Sequence, residues 1–201
     1  MLCRLLSVFF ILSTHVFSYD ALTDRLHLGD FEVLLSEKQI AARVEAAGEE
    51  LCATLRAEGI EEVTILALMK GAICIAADLM RSMDMHTKLE CIQTKSYGSN
   101  GKVRGELQII GLEHLDLKGK HVMVVDDIFD SGNTLSEVMK SVALKNPATL
   151  RSVIFLNKDA PRATDYRPDY SLFEIENRFV VGYGMDYKEL WRNLREVRSV
   201  E

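Results

Sequence analysis

The sequence predicts an α/β fold with a largely parallel, twisted sheet flanked by helices. Short apolar, partly β-branched runs alternate along the chain with segments whose apolar residues recur at helical spacing. Such alternation is typical of βα units, which build parallel sheets covered by helices. The length of 201 residues suits one domain with a single sizeable core.

The first half of the chain supplies two helices and two strands. The first helix should begin after Ser36, a suitable N-cap, and end at Gly59. Its core face consists of apolar residues three or four positions apart: Ile40, Val44, Ala47, Leu51 and Leu55. Strands over 63–69 and 89–94 and a helix over 72–83 follow. The polar, glycine-containing segment 96–105 predicts a loop.

The second half repeats the alternation. A buried strand over 121–125 runs into an acidic turn, a helix whose apolar positions begin at Leu135 follows, and another strand occupies 151–156. In parallel sheets, ligands bind beyond the carboxyl ends of the strands. The residues at those ends are therefore the first candidates for function.

The N-terminal segment differs from the rest, and we expect an extension over 1–25 followed by one domain over 26–201. Arg4 precedes an apolar run over 5–12, and 16–18 would form an imperfect cleavage site, a pattern that resembles a secretory signal. The run is too short to span a bilayer. The alternative is an extension that results from a start site set too far upstream, and both interpretations stay open.

Charge argues against nucleic acid as a partner. The chain carries 24 basic and 30 acidic residues, a net charge of −6, and these charges are mixed along the sequence without a basic stripe. After the first segment there is no apolar run long enough to predict a membrane span. We therefore expect neither nucleic acid nor membrane as a partner.

The most informative segment reads Val-Val-Asp-Asp-Ile-Phe-Asp-Ser-Gly-Asn-Thr over 124–134. Backbone N–H groups over 130–134 can form an anion-binding turn at a helix N-terminus, where Ser131 and Thr134 add hydroxyl donors. Asp126 and Asp127 can accept hydrogen bonds from ribose hydroxyls, directly or through magnesium. The alternative is a solvated acidic turn with residues chosen only for turn geometry. The chain has neither a P-loop nor a GxGxxG motif.

This segment resembles the phosphoribosyl pyrophosphate signature of type I phosphoribosyltransferases. Three further segments, over 68–71, 95–98 and 177–187, resemble those of hypoxanthine-guanine phosphoribosyltransferases in the same order, and the resemblance covers about residue 31 to the end. It implies the type I phosphoribosyltransferase fold with a small hood for the purine. The implied reaction belongs to purine salvage: the 5-phosphoribosyl group passes from phosphoribosyl pyrophosphate to N9 of hypoxanthine or guanine, which gives IMP or GMP and pyrophosphate.

The resemblance also implies roles for individual residues. Asp130 would lie beside purine N7 as general base or acid. The phosphoribosyl group would be bound by residues of one segment: Asp126, Asp127, Asp130, Ser131, Gly132, Asn133 and Thr134. Pyrophosphate would be bound by Arg192 and by Lys70 and Gly71, with a cis bond expected between the last two. Asp126 stands where many relatives carry glutamate, which shortens the reach by one methylene.

The purine and the metal complete the implied site. Lys158 would donate to the exocyclic O6, Phe179 would stack on the purine face, and the backbone of Val180 would read the base edge. Asp186 would contribute to purine binding and would also be, with Asp126 and Asp127, a magnesium ligand. Ser96 and Tyr97 would form a mobile lid. Without the resemblance, the alternatives are plain structural roles. Lys158 and Arg192 would be surface charges, Phe179 would be a core residue, and Lys70-Gly71 would be an ordinary turn.

Two other functions remain open. One is a regulatory binding module that kept the nucleotide pocket and lost catalysis. The other is an enzyme of the same fold with another base, such as adenine, xanthine or orotate, although Lys158 followed by Phe179 and Val180 favours 6-oxopurines. The preference among hypoxanthine, guanine and xanthine stays open. The resemblance further implies a homodimer or homotetramer in the cytoplasm.

Overall fold

A computed structural model describes residues 31–96 and 107–200. The strands, helices and site residues described below belong to one compact unit, Glu32–Glu201. The predicted N-terminal extension over 1–25 lies outside the described residues, so the division at 25/26 stays a prediction.

The described unit contains nine strands, three α-helices and one short 3₁₀ helix. The strands are β1 Val33–Leu35, β2 Glu62–Met69, β3 His86–Ser96, β4 Leu107–Ile110, β5 His121–Phe129, β6 Thr149–Asp159, β7 Tyr170–Glu176, β8 Val180–Val181 and β9 Val197–Ser199. The helices are α1 Glu37–Ala57, α2 Ile73–Ser82 and α3 Asn133–Ala143, and the 3₁₀ turn is Leu112–His114. The predicted helices and main strands are therefore confirmed, with small shifts at their ends.

The main sheet has six strands in the order β4-β3-β2-β5-β6-β7. Strands β3, β2, β5, β6 and β7 are parallel, and only β4 at the edge is antiparallel. The largely parallel α/β sheet predicted from the alternation of elements is thus confirmed. Because β2, β5 and β6 are neighbours, their carboxyl ends lie side by side.

Helix α1 has the ends that its sequence predicts. The Ser36 hydroxyl accepts from the Gln39 N–H while the Gln39 side chain accepts from the Ser36 N–H, which is a capping box. At the other end, Gly59 has a φ of +75°, and its N–H donates to the Arg56 carbonyl while Ile60 N–H donates to the Leu55 carbonyl. This pairing satisfies the last carbonyls of the helix.

Both faces of the sheet are covered. Along β2, Ile65 and Ala67 belong to the core shared with α1 and α2, whereas Leu66 and Leu68 belong to the core shared with α3. Alternating residues of one apolar strand therefore enter two different cores. In the part of the chain that the structure describes, no helix is both long and apolar enough to cross a bilayer.

Two features differ from the sequence prediction. Strand β5 does not end at Val125 but continues to Phe129, so Asp126 and Asp127 are strand residues and not part of a turn. A second, three-stranded antiparallel sheet, in the order β1-β9-β8, joins the start of the domain to its C-terminal segment. This sheet corresponds to the small hood, but its strands have only two or three residues each and give no periodic signal.

Candidate active site

Several of the predicted site residues lie at the carboxyl ends of three adjacent strands, β2, β5 and β6. Lys70 and Gly71 follow β2, Asp130 follows β5, and Lys158 is the penultimate residue of β6. The register pairs Ala67 of β2 with Val125 of β5. Segments that are far apart in sequence are therefore neighbours at one edge of the sheet, as expected for parallel strands.

Asp126 is a buried carboxylic acid. It is 7% exposed, and one of its oxygens accepts a hydrogen bond from the Asp127 N–H at 3.0 Å. Burial raises the pKa of Asp126 well above its ordinary value, and the neighbouring Asp127 charge raises it further. Both effects make ionisation of this carboxyl group less favourable than in water.

Three segments approach closely around Gly71. A Cβ atom added at Gly71 would overlap the Asp127 carboxylate, and one added at Gly184 would overlap the Gly71 carbonyl oxygen. Gly184 also has a φ of +99°, which side chains other than glycine rarely adopt. The absence of side chains at these two positions allows the end of β2, the acidic part of β5 and the C-terminal segment to meet.

The turn over 130–134 opens helix α3. The helix begins at Asn133 after Gly132, which has a φ of +83°. Among the described residues, no side chain caps this helix, so the N–H groups of its first turn are available to an anion. The Asn133 amide donates to the Ser131 hydroxyl at 3.1 Å. Thr134 occupies the second helical position, so its hydroxyl lies in the first turn of α3. Phosphate binding by this turn stays a prediction.

Lys158 and Asp130 form the pair most relevant to a base. The Lys158 Nζ lies 3.9 Å from an Asp130 carboxylate oxygen. Lys158 is buried, 7% exposed, whereas the Asp130 side chain is 55% exposed. The Lys158 ammonium is thus buried beside an accessible carboxylate. The alternative of Lys158 as a solvated surface charge is wrong.

Four charged residues form a cluster beside the end of β2, which we call the cation–carboxylate cluster: Lys70, Asp186, Glu189 and Arg192. Arg192 Nη2 lies 2.5 Å from an Asp186 oxygen and 3.6 Å from Glu189, and Arg192 Nη1 donates to the Gly184 carbonyl at 2.8 Å. Lys70 Nζ lies 2.9 Å from Glu189, and its hydrogen bond and charge lower the pKa of that carboxyl group. The other Asp186 oxygen accepts from the Glu189 N–H at 2.8 Å.

The backbone around this cluster is unusual. Non-glycine residues with left-handed φ values are concentrated in one short stretch: Tyr183, Lys188, Glu189 and Trp191. Such conformations are uncommon and cluster at ligand-binding segments. Hydrogen bonds join the two ends of this stretch: Tyr183 N–H donates to the Leu194 carbonyl, and Gly184 N–H donates to the Arg192 carbonyl.

Phe179 and Val180 lie at the start of the C-terminal segment. The Phe179 ring is 43% exposed and meets the Tyr187 ring edge-on at 5.6 Å, and Tyr187 stacks on Trp191 at 5.8 Å. Val180 is buried in β8 opposite Ser199 of β9. Phe179 is therefore an accessible aromatic face supported by two further rings, and the alternative of a core residue is wrong.

Comparison with known proteins agrees with this geometry. The sequence profile described as "Phosphoribosyl transferase domain" matches residues 36–188. The chain belongs to the phosphoribosyltransferase family. It is 37% identical over 170 residues to the hypoxanthine-guanine phosphoribosyltransferase of Aquifex aeolicus, with 85% of this chain and 94% of the relative covered.

Two solved structures of this family share the fold. The hypoxanthine phosphoribosyltransferase of Trypanosoma cruzi, in complex with the product IMP, is 26% identical with a TM-score of 0.78 and covers 86% of this chain and 94% of its own. A hypoxanthine-guanine phosphoribosyltransferase from Bacillus anthracis is 32% identical with a TM-score of 0.76, over 85% and 98% of the two chains. The type I phosphoribosyltransferase fold is thus confirmed.

One detail implied by the resemblance is wrong. A cis peptide bond was expected between Lys70 and Gly71, and the structure has it one bond earlier, between Met69 and Lys70. The chain bends before Lys70, since Ala72 N–H already donates to the Leu68 carbonyl at 3.2 Å. The predicted lid is only partly described: Ser96 is the last residue of β3, and Tyr97 lies outside the described residues. The lid stays a prediction.

Sequence reasoning missed two charged residues at the site. Glu189 contacts both Lys70 and Arg192. Arg162 donates hydrogen bonds to the backbone carbonyls of Asp130 and Lys158. Glu189 could have been noticed, because it lies three residues from both Asp186 and Arg192. Arg162 follows β6 in a segment without periodicity, and its contacts depend on how two strands end.

Proposed function

We propose that this chain transfers the 5-phosphoribosyl group from phosphoribosyl pyrophosphate to N9 of hypoxanthine or guanine, giving IMP or GMP and pyrophosphate. The observation that carries the proposal is the buried Lys158 ammonium 3.9 Å from the accessible Asp130 carboxylate at the edge of a phosphate-binding turn. The relatives named above carry the names of hypoxanthine-guanine and hypoxanthine phosphoribosyltransferases.

The Asp130–Lys158 pair suits one edge of a 6-oxopurine. N7 and O6 lie on the same edge of the ring, and an ammonium group can only donate hydrogen bonds, so Lys158 recognises the oxo group as acceptor. The 6-amino group of adenine offers donors in that place, which leaves a buried charge without an acceptor. Asp130 accepts the proton at N7. Phe179 offers its exposed ring to the purine face, and Val180 places backbone groups at the base edge.

The phosphoribosyl group belongs on the turn over 130–134. Its 5′-phosphate accepts from the N–H groups at the start of α3 and from the hydroxyls of Ser131 and Thr134. Gly132 and Asn133 supply backbone at the closest point of approach. Asp126 and Asp127 precede this turn on the same strand, and we assign the ribose hydroxyls to their carboxylates.

Pyrophosphate belongs on the cation–carboxylate cluster. Lys70 and Arg192 are both paired with carboxylates of their own chain, Lys70 with Glu189 and Arg192 mainly with Asp186. Pyrophosphate that binds to Lys70 and Arg192 must therefore displace Glu189 and Asp186 from these cations. The Gly71 backbone packs directly against the Asp127 carboxylate, so the pyrophosphate cluster adjoins the acidic part of β5.

Magnesium fits part of this site. It is commonly bound by one or two carboxylates together with substrate phosphates, and Asp126 and Asp127 are adjacent carboxylates, of which Asp126 is buried with a raised pKa. Asp186 is the third proposed ligand, but both its oxygens are engaged, with Arg192 and with the Glu189 N–H. When bound, magnesium would offset negative charge on the pyrophosphate. We therefore place the ion first with Asp126 and Asp127.

In the reaction, the bond from ribose C1′ to the pyrophosphate oxygen breaks and its electron pair leaves with pyrophosphate. The bond from C1′ to purine N9 forms, and the N7 proton passes to Asp130. The ribose carries positive charge between these events, which the nearby carboxylates stabilise. Lys158 holds O6 so that N9 points at C1′.

The enzyme's setting is part of the same proposal. We place it in the cytoplasm, where a homodimer or homotetramer acts on phosphoribosyl pyrophosphate and a free base. It belongs to purine salvage.

The test is an assay of the full-length chain with magnesium, phosphoribosyl pyrophosphate and one base at a time, with products separated by chromatography. We expect IMP from hypoxanthine, GMP from guanine and no AMP from adenine. Binding of phosphoribosyl pyrophosphate without turnover of any base would favour the regulatory module instead. Turnover of adenine alone would favour an enzyme of the same fold with another base.

A further inference from the structure

Arg162 links the ends of the two strands that present the Asp130–Lys158 pair. It lies three residues beyond Asp159, the last residue of β6. One guanidinium nitrogen, Nη1, donates to the carbonyl of Phe129 at 3.1 Å and to that of Asp130. The other, Nη2, donates to the Asn157 side chain at 2.7 Å and to the carbonyl of Lys158.

The position of Arg162 coincides with the end of the β-ladder. The register of β5 with β6 ends at the pair Phe129 and Asn157. Asp130 lies one residue beyond that pair on the β5 side, and Lys158 lies one residue beyond it on β6. Arg162 contacts the backbones of both strands at this point. Its hydrogen bonds therefore connect β5 and β6 where their backbone pairing ends.

Only an arginine suits this place. Its planar fork holds five N–H donors in fixed directions and can serve four acceptors from two strands at once, whereas a lysine ammonium is a single point on a flexible stem. The guanidinium also lies 4.5 Å from the centre of the Phe129 ring. Four of its five donors are committed to protein acceptors, so Arg162 acts through its neighbours.

We propose that Arg162 is a positioning residue that sets the distance between the Asp130 carboxylate and the Lys158 ammonium. The inference rests on the proposed function, since it assigns both groups to one edge of the purine. Asp130 contacts N7 and Lys158 contacts O6 of the same purine. The two backbones that carry these residues must therefore keep a fixed distance from each other. Loss of the link would misplace one group relative to the other while leaving the N–H groups at the start of α3 and the pyrophosphate cluster in place.

The segment after Arg162 offers a matched control. Arg167 is exposed and donates to the carbonyls of Thr164 at 3.2 Å and Tyr166 at 2.8 Å, both within its own loop. It contacts neither β5 nor β6 in these bonds. Arg167→Lys therefore removes a guanidinium from the same segment without touching the Asp130–Lys158 pair.

The experiment compares steady-state constants of the wild-type chain, Arg162→Lys, Arg162→Ala and Arg167→Lys. For Arg162→Lys we expect kcat/KM with hypoxanthine to fall about 10- to 100-fold, because a misplacement of about 1 Å can cost a factor of 100. The KM for phosphoribosyl pyrophosphate should stay within about threefold, and the ratio of adenine to hypoxanthine turnover should rise. Added guanidinium at millimolar concentration should partly restore Arg162→Ala, whereas Arg167→Lys should match the wild type.

The outcomes separate the positioning role from the proposed function. A wild-type chain inactive with every base contradicts the proposed function itself. An active wild type with an unchanged Arg162→Lys variant overturns only the positioning role. An equal loss in all constants, accompanied by a lower melting temperature and no rescue by guanidinium, shows that Arg162 merely supports the fold and also overturns it. If Arg162→Ala fails to fold, the constants of Arg162→Lys decide the matter.

Discussion

Replacing Asp130 with asparagine should nearly abolish turnover while leaving the fold intact. The amide keeps the shape of the carboxylate but cannot accept the N7 proton. General-base catalysis contributes about 10²- to 10⁴-fold, so kcat should fall by that factor, which corresponds to roughly 3–5 kcal/mol in the activation barrier. The KM for phosphoribosyl pyrophosphate should change little, since the N–H groups of the turn over 130–134 remain.

The structure predicts only a small effect of Asp130→Asn on stability. The Asp130 side chain is 55% exposed and lies 3.9 Å from Lys158, so the lost ion pair should contribute about 1 kcal/mol or less. Melting temperature, measured beside kcat, distinguishes loss of chemistry from loss of fold. The matched control is Asp159→Asn, which removes an exposed carboxylate one residue after Lys158. Wild-type turnover in Asp130→Asn would refute the assignment of Asp130 as the base.

Three further perturbations test other parts of the site. Lys158→Gln should lower kcat/KM for hypoxanthine about 10- to 100-fold, because it removes a charged hydrogen bond of about 1.5–3 kcal/mol. If the variant, assayed with each base, still excluded adenine as strongly as the wild type, another residue would recognise O6. Gly71→Ala should raise the KM for phosphoribosyl pyrophosphate at least about tenfold, because its methyl group would displace the Asp127 carboxylate; an unchanged KM would argue against this close approach. The pKa of Asp126 is higher in the folded than in the unfolded protein, where it is about 4. Between these two pKa values the folded protein binds more protons than the unfolded protein. Its unfolding free energy therefore falls as pH rises through this range. Asp126→Asn should remove that slope and melt at a higher temperature than the wild type at pH 7 in a chelating buffer, and parallel melting curves across pH would contradict the burial argument.

Much of the fold could be predicted from periodicity. The run over 63–69 is apolar without alternation, which indicates a strand buried on both faces, and the structure places Ile65 and Leu66 in different cores. Ser36 and Gly59 marked the ends of α1 because capping depends on local chemistry. The hood strands were missed because β8 has two residues and pairs only with a distant partner, β9.

The site divides in the same way. The turn over 130–134 could be predicted from the residues themselves, since a strand that runs into acids and small polar residues has few other uses. The roles of Asp130 and Lys158 followed only from the family resemblance. The position of the acids was predicted less well: hydrogen bonding with β6 keeps Asp126 in the strand, where it is buried. Arg162 and Glu189 could not be predicted, because their partners come from strand ends and from a left-handed loop that only the folded chain brings together.

The most direct test of the proposed function is a crystal structure of the full-length chain with IMP bound. We expect purine O6 within about 3 Å of Lys158 Nζ, N7 beside the Asp130 carboxylate, the ring against Phe179, and the 5′-phosphate on the turn over 130–134. A purine bound away from the Asp130–Lys158 pair, or a phosphate held elsewhere than at the start of α3, would contradict the proposed function.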